Sequence, residues 1–108
     1  MGKVWAVIVA AGKGTRMGAG VNKQFINLKG KPLLYYTLKS FSDNEYIDSI
    51  ALVCAKNEII YCQNEIIEKY NFCKVRCCVE GGMERQQSVF NGLKMVADCE
   101  IVLVHDGA

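Results

Sequence analysis

The sequence is poor in the residues that would mark several functional classes. It has one proline, which together with 51% hydrophobic and 22% charged residues excludes a disordered or polyproline-type chain. It has one histidine, His105, and its six cysteines contain no C-x2-C pair, so nothing resembles a zinc-binding framework. It lacks a strong charge of either sign: 13 Lys+Arg against 11 Asp+Glu leave +2, too balanced to draw nucleic acid or an acidic membrane by bulk field. No apolar run approaches the roughly 20 residues that a membrane helix requires. Residues 4–11 run into a glycine loop without a cleavage-type segment, which argues against a secretory signal and predicts a cytoplasmic, soluble domain.

What is present fits one small α/β domain. At 108 residues the chain has room for a single core, closed without disulfides or metals. The cysteines then read as reduced small hydrophobes, mostly buried, with Cys77 and Cys78 facing opposite sides of a strand. Apolar runs predict strands over 4–10, 47–54, 74–79 and 101–105, the first being continuous as in a strand covered on both faces. Helical spacing predicts helices over 32–41, 57–70 and 84–97. The first opens on Pro32 and aligns Leu34, Leu38 and Phe41; the second starts at Asn57 as a cap and carries Ile59, Ile60, Ile66, Ile67 and Tyr70. The third carries Val89, Phe90, Leu93, Val96 and Ala97. Strictly alternating strands and helices predict right-handed βαβ units on a parallel sheet.

In open α/β sheets a ligand lies outside the carboxyl ends of the strands. Three polar, glycine-containing segments fall there: 10–23, 80–88 and 105–108. In the first, Gly12, Gly14 and Gly18 let backbone N–H groups approach an anion, and Arg16 and Lys23 add two cations. The segment is neither a dinucleotide fingerprint, since Met17 stands where a glycine is needed, nor a Walker loop, since no Gly-Lys-Ser/Thr closes it. Arg and Lys beside flexible backbone form a positive clamp for a triphosphate attacked at phosphorus, or else an ordinary glycine-rich turn with solvated charges. In the second, Gly81 and Gly82 permit close backbone approach to a planar ligand, and Ser88, one turn into the next helix, can bond a base or ribose. The plain alternative is a strand-to-helix turn, with Arg85 a surface or capping charge. In the third, Asp106 emerges from a strand onto the ligand edge, as suits a Mg²⁺ ligand or simply a turn former, while His105 reads as packing or hydrogen-bonded structure.

Order and spacing sharpen these alternatives. A-A-G-x-G-x-R-M, K-Q-F, G-K-P-L-L, G-G-x-x-R-x-x-S-V-x-N-G-L and V-L-V-H-D-G-A run in sequence from residue 10 to residue 108. The chain thereby resembles the 2-C-methyl-D-erythritol 4-phosphate cytidylyltransferases, over about the first half of such an enzyme. The resemblance implies a Rossmann-like three-layer nucleotidyltransferase fold with a mostly parallel sheet. It implies transfer of CMP from CTP to the phosphate of methylerythritol, with Mg²⁺ and release of pyrophosphate. Arg16 and Lys23 would stabilise the pentacovalent charge at the α-phosphate. Ala10, Ala11, Gly12 and Gly14 would hold the nucleotide, Gly82 and Ser88 would read cytosine and ribose, and Asp106 would serve the metal and ribose.

Two local departures stand out. Asn22 replaces the proline that usually precedes the lysine, and Met83 occupies a variable, often polar position. The Arg-Pro that follows H-D-G-A in the family, the acceptor-binding residues and the dimer arm are missing. The expectation is therefore a nucleotide-binding half, residues 1–108, of a homodimeric enzyme, impaired when isolated. A ribitol 5-phosphate-type cytidylyltransferase would share the glycine loop and K-Q-F, but with a further glycine in A-A-G and H-D-S-V in place of residues 105–108. A non-catalytic CTP-binding fragment is the other alternative.

Overall fold

The computed structural model describes residues 3–11, 25–96, 99 and 101–106. Four strands form one parallel sheet: β1 (Val4–Val9), β4 (Ser49–Cys54), β5 (Val75–Glu80) and β6 (Ile101–Asp106), in the order β5-β4-β1-β6. The two central strands are the apolar runs VWAVIV and SIALVC, and β4 is buried at every position. Strands covered on both faces need apolar side chains on both, so the continuous run is the mark of a sheet centre. Edge strand β6 is exposed at five of its six residues.

One face of the sheet packs α1 (Leu33–Asp43) and the segment around α2 (Ile59–Cys62), through Leu34, Leu38, Cys62 and Ile66 onto Ala6, Ile8, Ile50 and Leu52. The other face carries Val7, Val9, Ala51 and Val53 beneath α3 (Arg85–Leu93). The predicted three-layer α/β arrangement with a parallel sheet is present. Cys77 and Cys78 join opposite faces, as alternation along a strand requires. All six cysteines are free thiols: Cys54 and Cys62 are buried, Cys73 is exposed, and the other three are half-buried.

α3 lies close to the sheet because of Gly92. A Cβ built there would stand 2.5 Å from Val7 Cγ1 and 2.9 Å from Val53 Cγ2, so the N-G-L motif sets the helix-to-sheet spacing. The buried positions of this helix are Ser88 and Gly92, with Val89 and Val96 packed beside them, whereas Phe90 and Leu93 are exposed. The sequence stripe through Phe90 and Leu93 is therefore corrected: small residues, not the large apolar ones, face the sheet.

Three further details depart from the sequence pattern. Pro32 is the extended N-cap residue of α1, one position before the helix. Asn57 caps nothing; it lies inside a 3-10 turn, Lys56–Glu58, that leads into α2. Beyond Cys62 the helix widens to π geometry over Gln63–Glu68, which buries Ile66 while Ile60 stays exposed. A hairpin absent from the expectation pairs β2 (Asn27–Leu28) with β3 (Lys31–Pro32) around Lys29 and Gly30, both with positive φ.

Candidate nucleotide-binding site

The strand order reverses beside β1. The chain steps from β1 outward to β4 and β5, then returns to place β6 on the other side of β1. Such a switch point opens a crevice at the carboxyl ends of the strands. Ala10 and Ala11 follow β1 there, and register pairs Val9 with Asp106 across the opening.

The backbone at this edge is held in place beyond the regular strands. The Ala10 N–H donates to the Val53 carbonyl at 2.7 Å, and the Gly81 N–H to the Cys54 carbonyl at 2.8 Å. Gly81 also lies against both neighbouring motifs. A Cβ at Gly81 would stand 2.6 Å from Ala11 Cβ and 2.7 Å from Ser88 Oγ, so only glycine lets the three come together. Ser88 is fully buried, and its Oγ accepts the Gly82 N–H at 3.0 Å. Asn91 Nδ2 donates to the Glu80 carbonyl at 3.0 Å, and Gln87 Nε2 donates to Asn91 Oδ1 at 3.0 Å. The first turns of α3 thus brace the Glu80–Gly82 backbone from below. A groove of about 570 Å³ opens beside this backbone, lined by Gly81, Gly82, Met83, Gln87 and Asn91 among others.

Asp106 ends β6 with its carboxylate exposed, and Arg85 Nε donates to its Oδ1 at 2.9 Å. Sequence reasoning left Arg85 as a surface or capping charge, and it gave no role to Asn91 or Gln87. The signal for Asn91 was the quoted S-V-x-N-G-L motif, whose Asn falls one turn after Ser88. His105 packs its ring on Phe41, centroids 5.1 Å apart, as structure rather than chemistry would have it.

Ala10, Ala11, Gly82, Ser88 and Asp106 therefore gather at one edge of the sheet. Gly12, Gly14, Arg16 and Lys23 lie outside the described residues. Just after them, Phe25 packs on the core and sets its ring 4.9 Å from that of Tyr61.

Asp106 suits a magnesium ion carried by a nucleotide. Mg²⁺ commonly takes one or two carboxylates, with phosphate oxygens and water completing its shell. Among the described residues no group of three or more His, Cys, Asp or Glu could hold a metal by itself. A single exposed carboxylate at the carboxyl edge of the sheet matches the first arrangement and not a protein cage.

The strongly shifted titratable groups sit elsewhere, where β4 and β5 meet α2 on the α1/α2 face. Cys54 Sγ and Cys78 Sγ are 3.2 Å apart. Hydrogen bonds from Cys54 and Cys62 hold Cys78 down to about 4. Hydrogen bonds to Cys62 and Cys78, with burial, push Cys54 far up. These thiols belong to the core and not to the crevice.

A parallel sheet with a switch point beside β1 and the Gly81-Gly82 turn at its carboxyl edge has the layout of an open α/β domain that takes a ligand at that edge. A family profile described as 2-C-methyl-D-erythritol 4-phosphate cytidylyltransferase matches residues 4–108. The chain belongs to that family. It is 60% identical over 108 residues to the 2-C-methyl-D-erythritol 4-phosphate cytidylyltransferase of Clostridium novyi, covering 100% of this chain and 47% of that protein. It is 60% identical over 104 residues to that of Clostridium kluyveri, covering 96% of this chain and 45% of the relative. The crystal structure of the 4-diphosphocytidyl-2C-methyl-D-erythritol synthase from Anaerococcus prevotii superposes with a TM-score of 0.77 at 33% identity, covering 98% of this chain and 43% of that one. The chain thus spans about half the length of the curated relatives it matches.

Proposed function

We propose that this chain supplies the nucleotide-binding half of an enzyme that transfers CMP from CTP to 2-C-methyl-D-erythritol 4-phosphate. The observation that carries the reading is the meeting of Ala11, Gly81 and Ser88 beside Asp106 at the switch point. In the reaction, an oxygen of the acceptor phosphate attacks the α-phosphorus of CTP. The bond from that phosphorus to the bridging oxygen breaks, and pyrophosphate leaves. No covalent nucleophile is required of the protein, because the acceptor brings its own; catalysis is positioning plus charge stabilisation.

Each residue has a place in that chemistry. Gly82 presents backbone to the cytosine, and Ser88, fully buried, serves base and ribose recognition by keeping that backbone in position. The backbone of Ala10, Ala11, Gly12 and Gly14 follows the nucleotide. Arg16 grips phosphate oxygens as a planar fork and Lys23 as a mobile point charge, both stabilising the charge that grows at the α-phosphate. Asp106 holds the ribose and the nucleotide's Mg²⁺. Bound there, Mg²⁺ supplies charge neutralisation along the triphosphate.

The acceptor-binding residues and the dimer contacts are assigned to the other half of a cytoplasmic homodimeric enzyme. H-D-G-A at residues 105–108 favours methylerythritol phosphate over a ribitol 5-phosphate-type acceptor. Among the described residues no helix is long and apolar enough to cross a membrane. The test is calorimetric titration of the chain with CTP and Mg²⁺, against ATP and UTP. CTP-selective uptake supports the assigned nucleotide site; a folded chain that takes up none of the three overturns it.

A further inference from the structure

The Arg85–Asp106 pair is unlike the other ion pair among the described residues. Lys39 and Asp43 lie one turn apart on α1, where such pairs form locally. Arg85 and Asp106 are 21 residues apart and tie the first turn of α3 to the last residue of β6. Both side chains are more than half exposed, at 58% and 57%, so the pair adds little to stability. Its position carries more. α3 follows β5 at one edge of the sheet, β6 is the other edge, and the bridge closes the span between them over the end of β1. The helix turn that braces Gly82 through Ser88 is the same turn that holds Asp106.

The geometry of the contact is selective. Arg85 Nε engages Oδ1 alone, and among the described residues Oδ2 has no partner. A carboxylate held by one oxygen keeps a fixed direction and leaves the second oxygen for a ligand, as outer-sphere partners do for metal-bound carboxylates.

Building on the nucleotide reading above, we propose that Arg85 is a positioning residue that aims Asp106 at the magnesium-bearing nucleotide and couples that carboxylate to the Gly82–Ser88 turn. It acts through Asp106 and does not touch the nucleotide.

The test is calorimetric titration of CTP, with and without Mg²⁺, into the wild-type chain, Arg85→Gln, Arg85→Lys, Asp106→Asn and the Arg85→Gln/Asp106→Asn double variant. Melting temperatures accompany each to show that the proteins are folded. Arg85→Gln is expected to weaken binding about tenfold with Mg²⁺ and little without it, since it disturbs only the carboxylate that serves the metal. Arg85→Lys, which keeps the charge but loses the directed Nε–H bond to Oδ1, recovers part of that loss. The double variant binds like Asp106→Asn alone, because two residues on one path are not additive. A double variant that loses the product of the two single effects overturns the proposal and makes Arg85 a direct ligand. Equal weakening with and without Mg²⁺ overturns it in favour of a general effect on the fold. An unchanged Arg85→Gln beside a weakened Asp106→Asn also overturns it while sparing the nucleotide reading. An Asp106→Asn that binds normally removes the role of Asp106, and a wild-type chain that takes up no CTP overturns the reading on which the proposal rests.

Discussion

The fully buried hydroxyl of Ser88 accepts the backbone N–H of Gly82 at 3.0 Å, so the serine shapes the turn proposed to read the base. Ser88→Ala removes that acceptor and leaves the N–H unpaired in a half-buried turn. An orphaned donor of this kind costs about 1–3 kcal/mol, the lower end applying where water can reach it. The expected outcome is a melting temperature lower by roughly 4–8 °C for each kcal/mol lost, with weaker CTP binding. Thermal melts and CTP titration check both. An unchanged melt with normal CTP affinity denies Ser88 this role.

Gly81 and Gly92 both approach other residues closely, but in different places. At Gly92 a methyl group meets Val7 and Val53, both in the packed core, so Gly92→Ala pushes α3 off the sheet. Overpacking of this sort costs about 1–3 kcal/mol. At Gly81 the methyl meets Ala11 and the Ser88 hydroxyl at the crevice. Gly81→Ala therefore lowers CTP affinity by more than its effect on stability explains, whereas Gly92→Ala loses affinity only as it unfolds. Paired urea melts and titrations separate the two; the same ratio of effects in both variants contradicts the assignment.

The parts of this fold legible in sequence are those where one residue pattern admits one structure. VWAVIV and SIALVC have apolar side chains on both faces, and only a covered strand suits that pattern at that length. The hairpin at Asn27–Pro32 escaped because strands of two residues show no alternation; its one local sign was Lys29-Gly30 in a turn requiring positive φ. α3 was found but misoriented, because hydrophobicity cannot reveal that Gly92 must be small to lie against Val7 and Val53, or that Ser88 is buried beside Gly81. At the site, Asp106 was legible as a carboxylate on the ligand edge. Its tie to Arg85 was not, since a contact spanning 21 residues depends on how α3 crosses the sheet.

Arg16 and Lys23 are proposed to act on the triphosphate and not on the base. Arg16→Ala and Lys23→Ala should then weaken CTP binding far more than CMP binding, erasing most of the wild-type preference for the triphosphate. Loss of one charge-assisted contact of about 1.5–3 kcal/mol corresponds to roughly ten- to hundredfold in affinity. Titrating CTP and CMP into each protein measures the preference directly. A preference that survives both substitutions places these cations away from the phosphates.

The buried thiols give the stability of this domain a pH dependence whose sign differs on its two limbs. Cys78 is held down to about 4 by hydrogen bonds from Cys54 and Cys62, against an ordinary thiol value of 9.0. A depressed group stabilises fully above its unfolded value and loses that contribution as pH falls toward its folded one. Stability from Cys78 therefore declines from about pH 9 down to about pH 4. Cys62 behaves oppositely: a hydrogen bond from Cys54 lowers it, but Cys78 and burial together push it up to about 12. Cys54 rises through its hydrogen bonds to Cys62 and Cys78, and Cys77 through burial. Raised groups stabilise fully below their unfolded value and lose the contribution as pH climbs through the folded one, here from about pH 9 toward 12. The cysteine contribution thus peaks near pH 9. Other groups titrate over the same span, so the informative quantity is the difference between wild-type and variant melting temperatures across pH 5–11, a range on the order of that in which these thiols exchange protons. Cys78→Ala should flatten the limb below pH 9, and Cys54→Ala, which removes both a raised thiol and the hydrogen bond that lowers Cys78, should flatten both limbs, each measured under reducing conditions. Parallel wild-type and variant curves across the whole range would show that the thiols do not exchange protons on folding.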